Sequence, residues 1–469
     1  MYFKLIIYIF FSSLLVFPLF SITEEFKADT KGIDNSPLLR YKRGSNYSKL
    51  REYVEEADEE STNFKEKGEK SSGKGSDKSP EKEEAKEKNK NLARILSEKY
   101  MVDLIVYSIK GGHKIYSENL QIINIPVTRG LFEQTTLRKK GYVEAYIEFH
   151  NSEAFRFLGI YTEILTNEEI KIGGIHVSIL EWLKKQKYSF GIAEFESMGG
   201  PFAVFEALEI KNTFNVFSNV FYPTNLQFLD FGGKPLDVTK YRVPGETAEP
   251  GDWKEGSTVF QENSDLWKFN IQNNKKFNYC KKVFLNDISE FYYNFLHNSQ
   301  VKLYGERPSL LEVLYRKVKL HFVNQHPFGI FKTFPEHEKI VYIGGIHVEK
   351  ENSILLEKIK KENDKRAMYA GVPLICIPNS NDQFYNSSII EHLGIGIYVK
   401  MLEIEEGRDD NDKNSKFEYD FKEAFNEFFS HDKYSKAANN LREKIISNYY
   451  NGHKAKDVFL EKISKIIGD

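Results

Sequence analysis

Asp382 and Gln383 are adjacent side chains whose types suit recognition of a polyol. One is an acceptor and the other both donor and acceptor, a pairing that fits the vicinal hydroxyls of a sugar. They lie in the stretch Ala370-Gly-Val-Pro-Leu-Ile-Cys-Ile-Pro-Asn-Ser-Asn-Asp-Gln-Phe-Tyr-Asn386. Leu374 to Ile377 reads as an apolar strand stopped by Pro378. A short polar loop follows, then a helix from about Gln383 to His392, closed by Gly394. In an open α/β sheet, ligands sit just beyond the carboxyl ends of strands, where this pair falls. The plainer reading makes Asp382 the N-cap of the helix it opens. Glu194 ends another apolar run, Ser189 to Glu194, and from there would point into a cleft. A solvated strand-end carboxylate is its plainer role. His113 closes the strand-loop-His stretch Leu104 to His113, where it otherwise reads as an exposed loop residue. Glu391 and His392, late in the Gln383 helix, read as surface residues. The two cysteines, Cys280 and Cys376, cannot form a disulfide framework, and no spacing suggests a metal. Cys376 is most simply a small core residue of its strand.

The elements that must position these residues alternate in type. Asn91 to Tyr100 has helix periodicity, with Leu92, Ile95 and Leu96 on one face. Strands are expected at Val102 to Val106 and Leu120 to Pro126. A helix at Val177 to Gln186 precedes the Ser189 strand, and a helix at Phe202 to Leu208 precedes a strand at Thr213 to Ser218. This β-α-β-α rhythm indicates a parallel sheet with helices on its faces. Tyr222 to Asn278, rich in Pro, Gly and Asn, reads as loop with short elements. Helices follow at Val283 to Leu296 and Ser309 to Lys317. Strands follow at Val318 to Asn324 and Lys339 to Ile343, and a charged helix at Ser353 to Lys365. The hexapeptide Ile-Gly-Gly-Ile-His-Val occurs at 172–177 and again at 343–348 in unlike surroundings, so it marks no structural repeat.

The 469 residues leave room for two domains with proper cores. A net charge of −2 argues against nucleic acid as a partner. Aromatic residues at 14% supply ample material for an apolar acceptor pocket. Lys4 and the apolar run from Leu5 to Phe20, ending at Ser21, have the layout of a secretory signal peptide over residues 1–21, with uncleaved anchoring as the alternative. The sequons at Asn46 and Asn386 fit that route, the second overlapping the sugar-side loop and expected to be unused. Residues 22–90, almost all Lys, Glu, Ser, Gly and Asp from Lys65 onward, bury too little apolar surface to order and read as a disordered tether. The C-terminus, Phe459 to Asp469, is too polar to span a bilayer, which leaves membrane association open.

The Ala370–Asn386 stretch resembles the end of the donor-binding signature of UDP-glycosyltransferases, especially animal UDP-glucuronosyltransferases. Phe322-Val-Asn-Gln-His-Pro327 with Lys339-Ile-Val-Tyr-Ile-Gly-Gly345 is similar to the end of the first domain in the nematode type. Tyr188 to Met198, and Phe417 to Asn448 with His431-Asp-Lys-Tyr434, also resemble family text, so the similarity spans about two-thirds of the chain. The resemblance implies a GT-B-like α/β architecture of two Rossmann-like domains, the C-terminal one incomplete. Residues 91–345 would form the acceptor side and 346–469 a partial UDP-sugar-binding domain. It implies direct displacement at the anomeric carbon with inversion, from a UDP-sugar co-substrate to a hydroxyl of a small lipophilic acceptor, with no cofactor or metal. A His base oriented by an acid would take the acceptor proton. Glu194 matches the place of that acid, and Asp382 and Gln383 would hold the sugar. An endoplasmic reticulum location and a detoxifying role complete the expectation.

Departures from the family pattern accompany it. The catalytic His should follow an opening strand, but the charged tail stands where that strand is expected. His113 is the nearest base, yet a further strand follows it, so the strand before it reads as the family's second. The middle of the donor domain, with a Trp-x-Pro-Gln turn and a His-Gly-Gly loop, is lacking; the tryptophans are Trp182, Trp253 and Trp267. The family's C-terminal membrane helix and basic tail are not seen. A non-catalytic lumenal relative and an incomplete gene model are the alternatives.

Overall fold

A computed structural model describes residues 4–10, 91–108, 119–126, 154–196, 199–245, 248–298, 302–350, 364–378, 382–403, 412–413 and 416–469. Its centre is a seven-stranded sheet built from β1 (Lys4–Phe10), β2 (Met101–Ser108), β3 (Leu120–Pro126), β6 (Phe190–Ala193), β7 (Thr213–Phe217), β8 (Leu320–Val323) and β9 (Ile340–Tyr342). A small hairpin, β4 (Glu169–Ile172) and β5 (Ile175–Ser178), stands apart from it. The sheet order is β3-β2-β1-β6-β7-β8-β9, and every neighbouring pair is parallel. The order reverses between β1 and β6, as in doubly wound folds.

Both faces of this sheet are covered, which is why its strands read as continuous apolar runs. Phe190, Ile192, Phe214, Val216, Leu320 and Phe322 pack on one face with α1 (residues 91–97) and the last helix of the chain. Ile105, Tyr107, Ala193, Phe217 and Val323 belong to the opposite core. That core is closed by α2 (Ala154–Leu165), α3 (Ile179–Gln186), α4 (Gly200–Ala207), and, beyond α5 (Asp265–Val283) and α6 (Ser289–Asn298), by α7 (Leu311–Lys317). Each large apolar side chain so buried contributes about 1.5–3 kcal/mol. Gly191 lets α4 approach the sheet: a Cβ there would lie 2.6 Å from the Phe205 ring.

A second unit begins with α8 (Ile346–Lys350) and α9 (Asp364–Ala370). It holds one β-α-β turn: β10 (Leu374–Cys376), α10 (Asp382–His392) and β11 (Gly396–Tyr398), the strands parallel. The short strands β12 (Leu402–Glu403) and β13 (Asp412–Lys413), then α11 (Phe417–Ser430) and α12 (Lys433–Tyr450), follow. Tyr369, Ile390, Ile395, Ala438, Leu441 and Ile445 form its core. The last helix, α13 (Ala455–Ile467), crosses back to the first sheet, where Phe459 meets Phe322 edge-on at 4.6 Å. Across residues 345/346 the cores are shared: Ile346 lies with Phe322 and α13 in one core of the first sheet, and Tyr385 and Ile389 of α10 pack into the other. The chain is α/β, with a doubly wound first unit and, among the described residues, one β-α-β turn in the second.

Some expectations change. The opening strand is not missing: Lys4–Phe10 fills the central place, pairing with β2 along seven residues. These residues also lie within the expected leader, and the two uses exclude each other. The stretch Tyr222 to Asn278 is not all loop. Ser264 caps α5, its Oγ accepting the Trp267 N–H at 3.1 Å. Val177 and Ser178 belong to β5, and α3 starts at Ile179 because Asn167 Oδ1 takes the Leu180 N–H at 2.8 Å. Most of the Ser353–Lys365 helix lies outside the described residues, as do the acidic-basic tether, Asn46 and residues 11–21 of the leader.

Candidate functional site

Glu194 directly follows β6, the strand beside the topological switch point. Such crevices are where open α/β sheets bind ligands. Glu194 is half-buried, and its Oε1 accepts the Ser218 N–H at 3.1 Å. The Ser218 carbonyl in turn accepts from Asn324 Nδ2 at 2.9 Å. Glu194 thus ties the carboxyl ends of β6, β7 and β8 into one rim. The side chain is thus a hydrogen-bonded strand-end carboxylate rather than a solvated one.

Asp382 is the first residue of α10, rather than the residue before it, and so stands where an acid favours the helix dipole. Asn386 Nδ2 donates to its Oδ2 at 3.2 Å. Asp382 and Gln383 are both half-buried, one loop beyond the carboxyl end of β10. The expected strand ends at Cys376 and the expected helix at His392. The Asn386 sequon is folded into this helix. Ser388, its third residue, is fully buried and donates to the Phe384 carbonyl at 3.2 Å.

Aromatic contacts set α10 against the same edge of the first sheet that carries Glu194. Tyr385 meets Tyr222 at 5.5 Å and Phe331 at 5.3 Å. Those partners lie in the segments leaving the carboxyl ends of β7 and β8. The helix that starts at Asp382 and Gln383 therefore packs on segments leaving the same edge of the first sheet that Glu194 follows.

Glu391 is not a surface residue, and His392 beside it is half-buried. Glu391 is only 8% exposed. Its Oε2 accepts the Gly251 N–H at 2.8 Å and its Oε1 the Tyr398 N–H at 3.3 Å. Burial raises its pKa, and the two N–H groups oppose that rise. His392 Nε2 accepts the Lys332 N–H at 3.0 Å, and burial lowers its pKa. Together they fasten α10 to the loops after β7 and β8. The signal was present in sequence: Phe384, Ser388 and Glu391 are spaced four and three apart, on one helix face.

His113 lies outside the described residues. The strand before it is β2, the neighbour of β1, which agrees with its reading as the second strand. No histidine precedes His113 in the chain, so none follows β1 directly. Among the described residues, His326 ends up against Tyr369 at 5.7 Å, and burial holds its pKa down to about 4. No helix among the described residues is long and apolar enough to cross a membrane.

No protein-family model matches the chain, and no curated protein matches it. A solved structure similar to it is a UDP-glucosyltransferase from Polygonum tinctorium capable of glucosylating indoxyl, in complex with 3,4-dichloroaniline. The identity is 13% and the TM-score 0.32, over 81% of this chain and 95% of that one.

Proposed function

We propose that the chain is a UDP-glycosyltransferase of the glucuronosyltransferase type, moving a hexosyl or hexuronosyl group onto a hydroxyl of a small lipophilic acceptor. The observation that carries this reading is the position of Asp382 and Gln383 one loop beyond β10, on a helix packed against the strand-end segments of the first sheet. The residue-level resemblance from Ala370 to Asn386 supports it. In the proposed reaction the acceptor oxygen bonds to the anomeric carbon, the bond from that carbon to the diphosphate oxygen breaks, and UDP leaves. The acceptor proton passes to a base. Asp382 and Gln383 hold the sugar hydroxyls, and Glu194 is what is left of the His–acid pair. An endoplasmic reticulum setting belongs to the same proposal.

A second reading is a non-catalytic lumenal binding subunit. The commitment of Glu194 to Ser218 and of Asp382 to Asn386 favours it, since both carboxylates already do structural work. Calorimetry on the purified chain separates the two from a third outcome. Binding of UDP-glucuronate or UDP-glucose supports a donor site, and transfer to a phenol then distinguishes enzyme from binding subunit. Absence of binding to UDP and to both sugars sinks the donor-site assignment.

A further inference from the structure

Between β7 and α5 the first unit sends out an arm that reaches the second unit. Residues 248–254 meet it at almost every other position. The Ala248 carbonyl accepts the Tyr398 hydroxyl at 3.3 Å, and the Glu249 carboxylate pairs with Lys400 at 2.7 Å. The Gly251 N–H donates to Glu391 at 2.8 Å. The Trp253 backbone hydrogen-bonds to the His392 ring, and Lys254 lies 3.9 Å from Glu427 of α11.

The arm is shaped for these contacts. Asp252 Oδ2 accepts the Glu249 N–H at 3.1 Å and closes a tight turn. Gly251 sits in that turn at φ +83°, a conformation glycine adopts without strain, and its N–H points at Glu391. Behind the turn the arm is anchored in the first core. Trp253 is fully buried there, its ring edge-on to Phe331 at 5.4 Å and to Phe260 at 5.9 Å. Phe331 also meets the His392 ring at 4.9 Å, so anchor and grip share one side chain.

The grip is polar and directional, unlike the ring contacts of Tyr385 with Tyr222 and Phe331. Glu391 is buried, so a partial slip would strip its carboxyl of the Gly251 N–H. A buried acceptor left unmade costs more than a made bond gains. Intermediate positions are therefore disfavoured.

We propose that residues 248–254 are a clasp: they grip α10 and β11 as one piece, hold α10 on the first unit, and must let go before the two units can part. The clasp does not depend on the transferase reading.

Hydrogen exchange on the full chain, read at single amides and without any UDP-sugar, tests this. Tyr398→Phe removes one oxygen, the one on Ala248. It leaves the acceptors of the Gly251 and Lys332 N–H groups in place, Glu391 and His392. A clasp predicts that both amides exchange about three-fold faster or more in this variant, because one lost hydrogen bond lowers the opening free energy of the whole piece. His392→Phe keeps a ring against Phe331 and should speed exchange at Gly251 likewise, although Glu391 is untouched. Parent-like exchange at Gly251 in either variant makes the contacts independent and overturns the proposal. Faster exchange at Gly251 but not at Lys332 in Tyr398→Phe also overturns it, since the arm then moves without α10. If His392→Phe does not fold, Tyr398→Phe alone decides. With no sugar nucleotide present, failure here leaves the transferase reading intact, and failure of UDP binding leaves the clasp intact.

Discussion

The carboxylates of this chain are pulled in different directions by their surroundings. Asp382 stands at a helix start with an amide beside it. If it holds a sugar hydroxyl, Asp382→Ala should weaken UDP-sugar binding about ten-fold or more and leave UDP nearly unchanged, since a hydrogen bond to a charged group contributes roughly 1.5–3 kcal/mol. Calorimetry with both ligands reads this directly, and equal weakening of both would count against the role. Glu349 shows a second kind of tuning. Its Oε2 accepts the Ala455 N–H at 2.7 Å, at the start of α13. Burial, resisted by that N–H and assisted by Asp457, lifts its carboxyl from 4.5 to about 7. Between those values the folded chain holds a proton that the unfolded chain has lost. The stabilisation is full below about pH 4.5 and disappears as pH rises through 7. Glu349→Gln, which keeps an acceptor for Ala455, should flatten the fall in melting temperature between pH 5 and 8. A variant whose pH profile parallels the parent's would assign that fall to other groups.

Elements of the second unit depend on the first. Phe459 and Ile463 of α13 are fully buried in the core of the first sheet. β10 and β11 pair only with each other among the described residues, leaving an outer edge on each. On α11, Tyr419 and Phe429 are 66% and 68% exposed. Residues 346–469 expressed alone should therefore aggregate or melt without cooperativity, because uncovered strand edges and apolar faces associate. A monomeric fragment with a sharp transition would show a self-sufficient core. At the centre of the first sheet, β1 makes a comparable demand. Deleting residues 1–21 removes the strand that joins β2 to β6. Loss of a cooperative melt is the expected result, and an unchanged melt would leave Lys4–Phe10 free to serve as a leader.

For the whole molecule, the expectation is slow transfer or none with UDP-glucuronate or UDP-glucose and a phenolic acceptor. A general base is typically worth roughly 10²–10⁴-fold. The first histidine after β1 lies a hundred residues on, at His113. The diphosphate loop that would stabilise the leaving group is absent from the sequence as well. Robust turnover lost in His113→Ala would make the Gly111-Gly112-His113 loop the active-site loop. Turnover that survives that change but fails in Glu194→Ala would point to a carboxylate base.

Local pattern was enough for much of this fold. The strands at Leu120–Pro126, Phe190–Ala193, Thr213–Phe217 and Leu374–Cys376 lie within two residues of expectation, and α10 within one. Apolar runs bounded by Gly, Pro and polar caps determine such elements because both faces of the sheet are covered. The positions of Asp382, Gln383 and Glu194 at strand ends followed from the same runs. What each of them touches did not, since those partners are set by how the strand ends and the helix pack, and Glu391, whose helix face carried the signal, takes its partner Gly251 from 140 residues away. The repeated hexapeptide shows the limit most plainly. At 172–177, Gly173 and Gly174 turn a hairpin and Ile175-His-Val continues as strand β5. At 343–348 the same six residues end the β9 segment and start helix α8. Gly344 there lies so close to Gln325 that a Cβ would approach its backbone to 2.2 Å, and Gly345 admits the Tyr369 hydroxyl. The six residues allow either path. The neighbour that packs against them, an antiparallel partner in one case and a parallel sheet with Tyr369 in the other, selects between them by the contacts it makes.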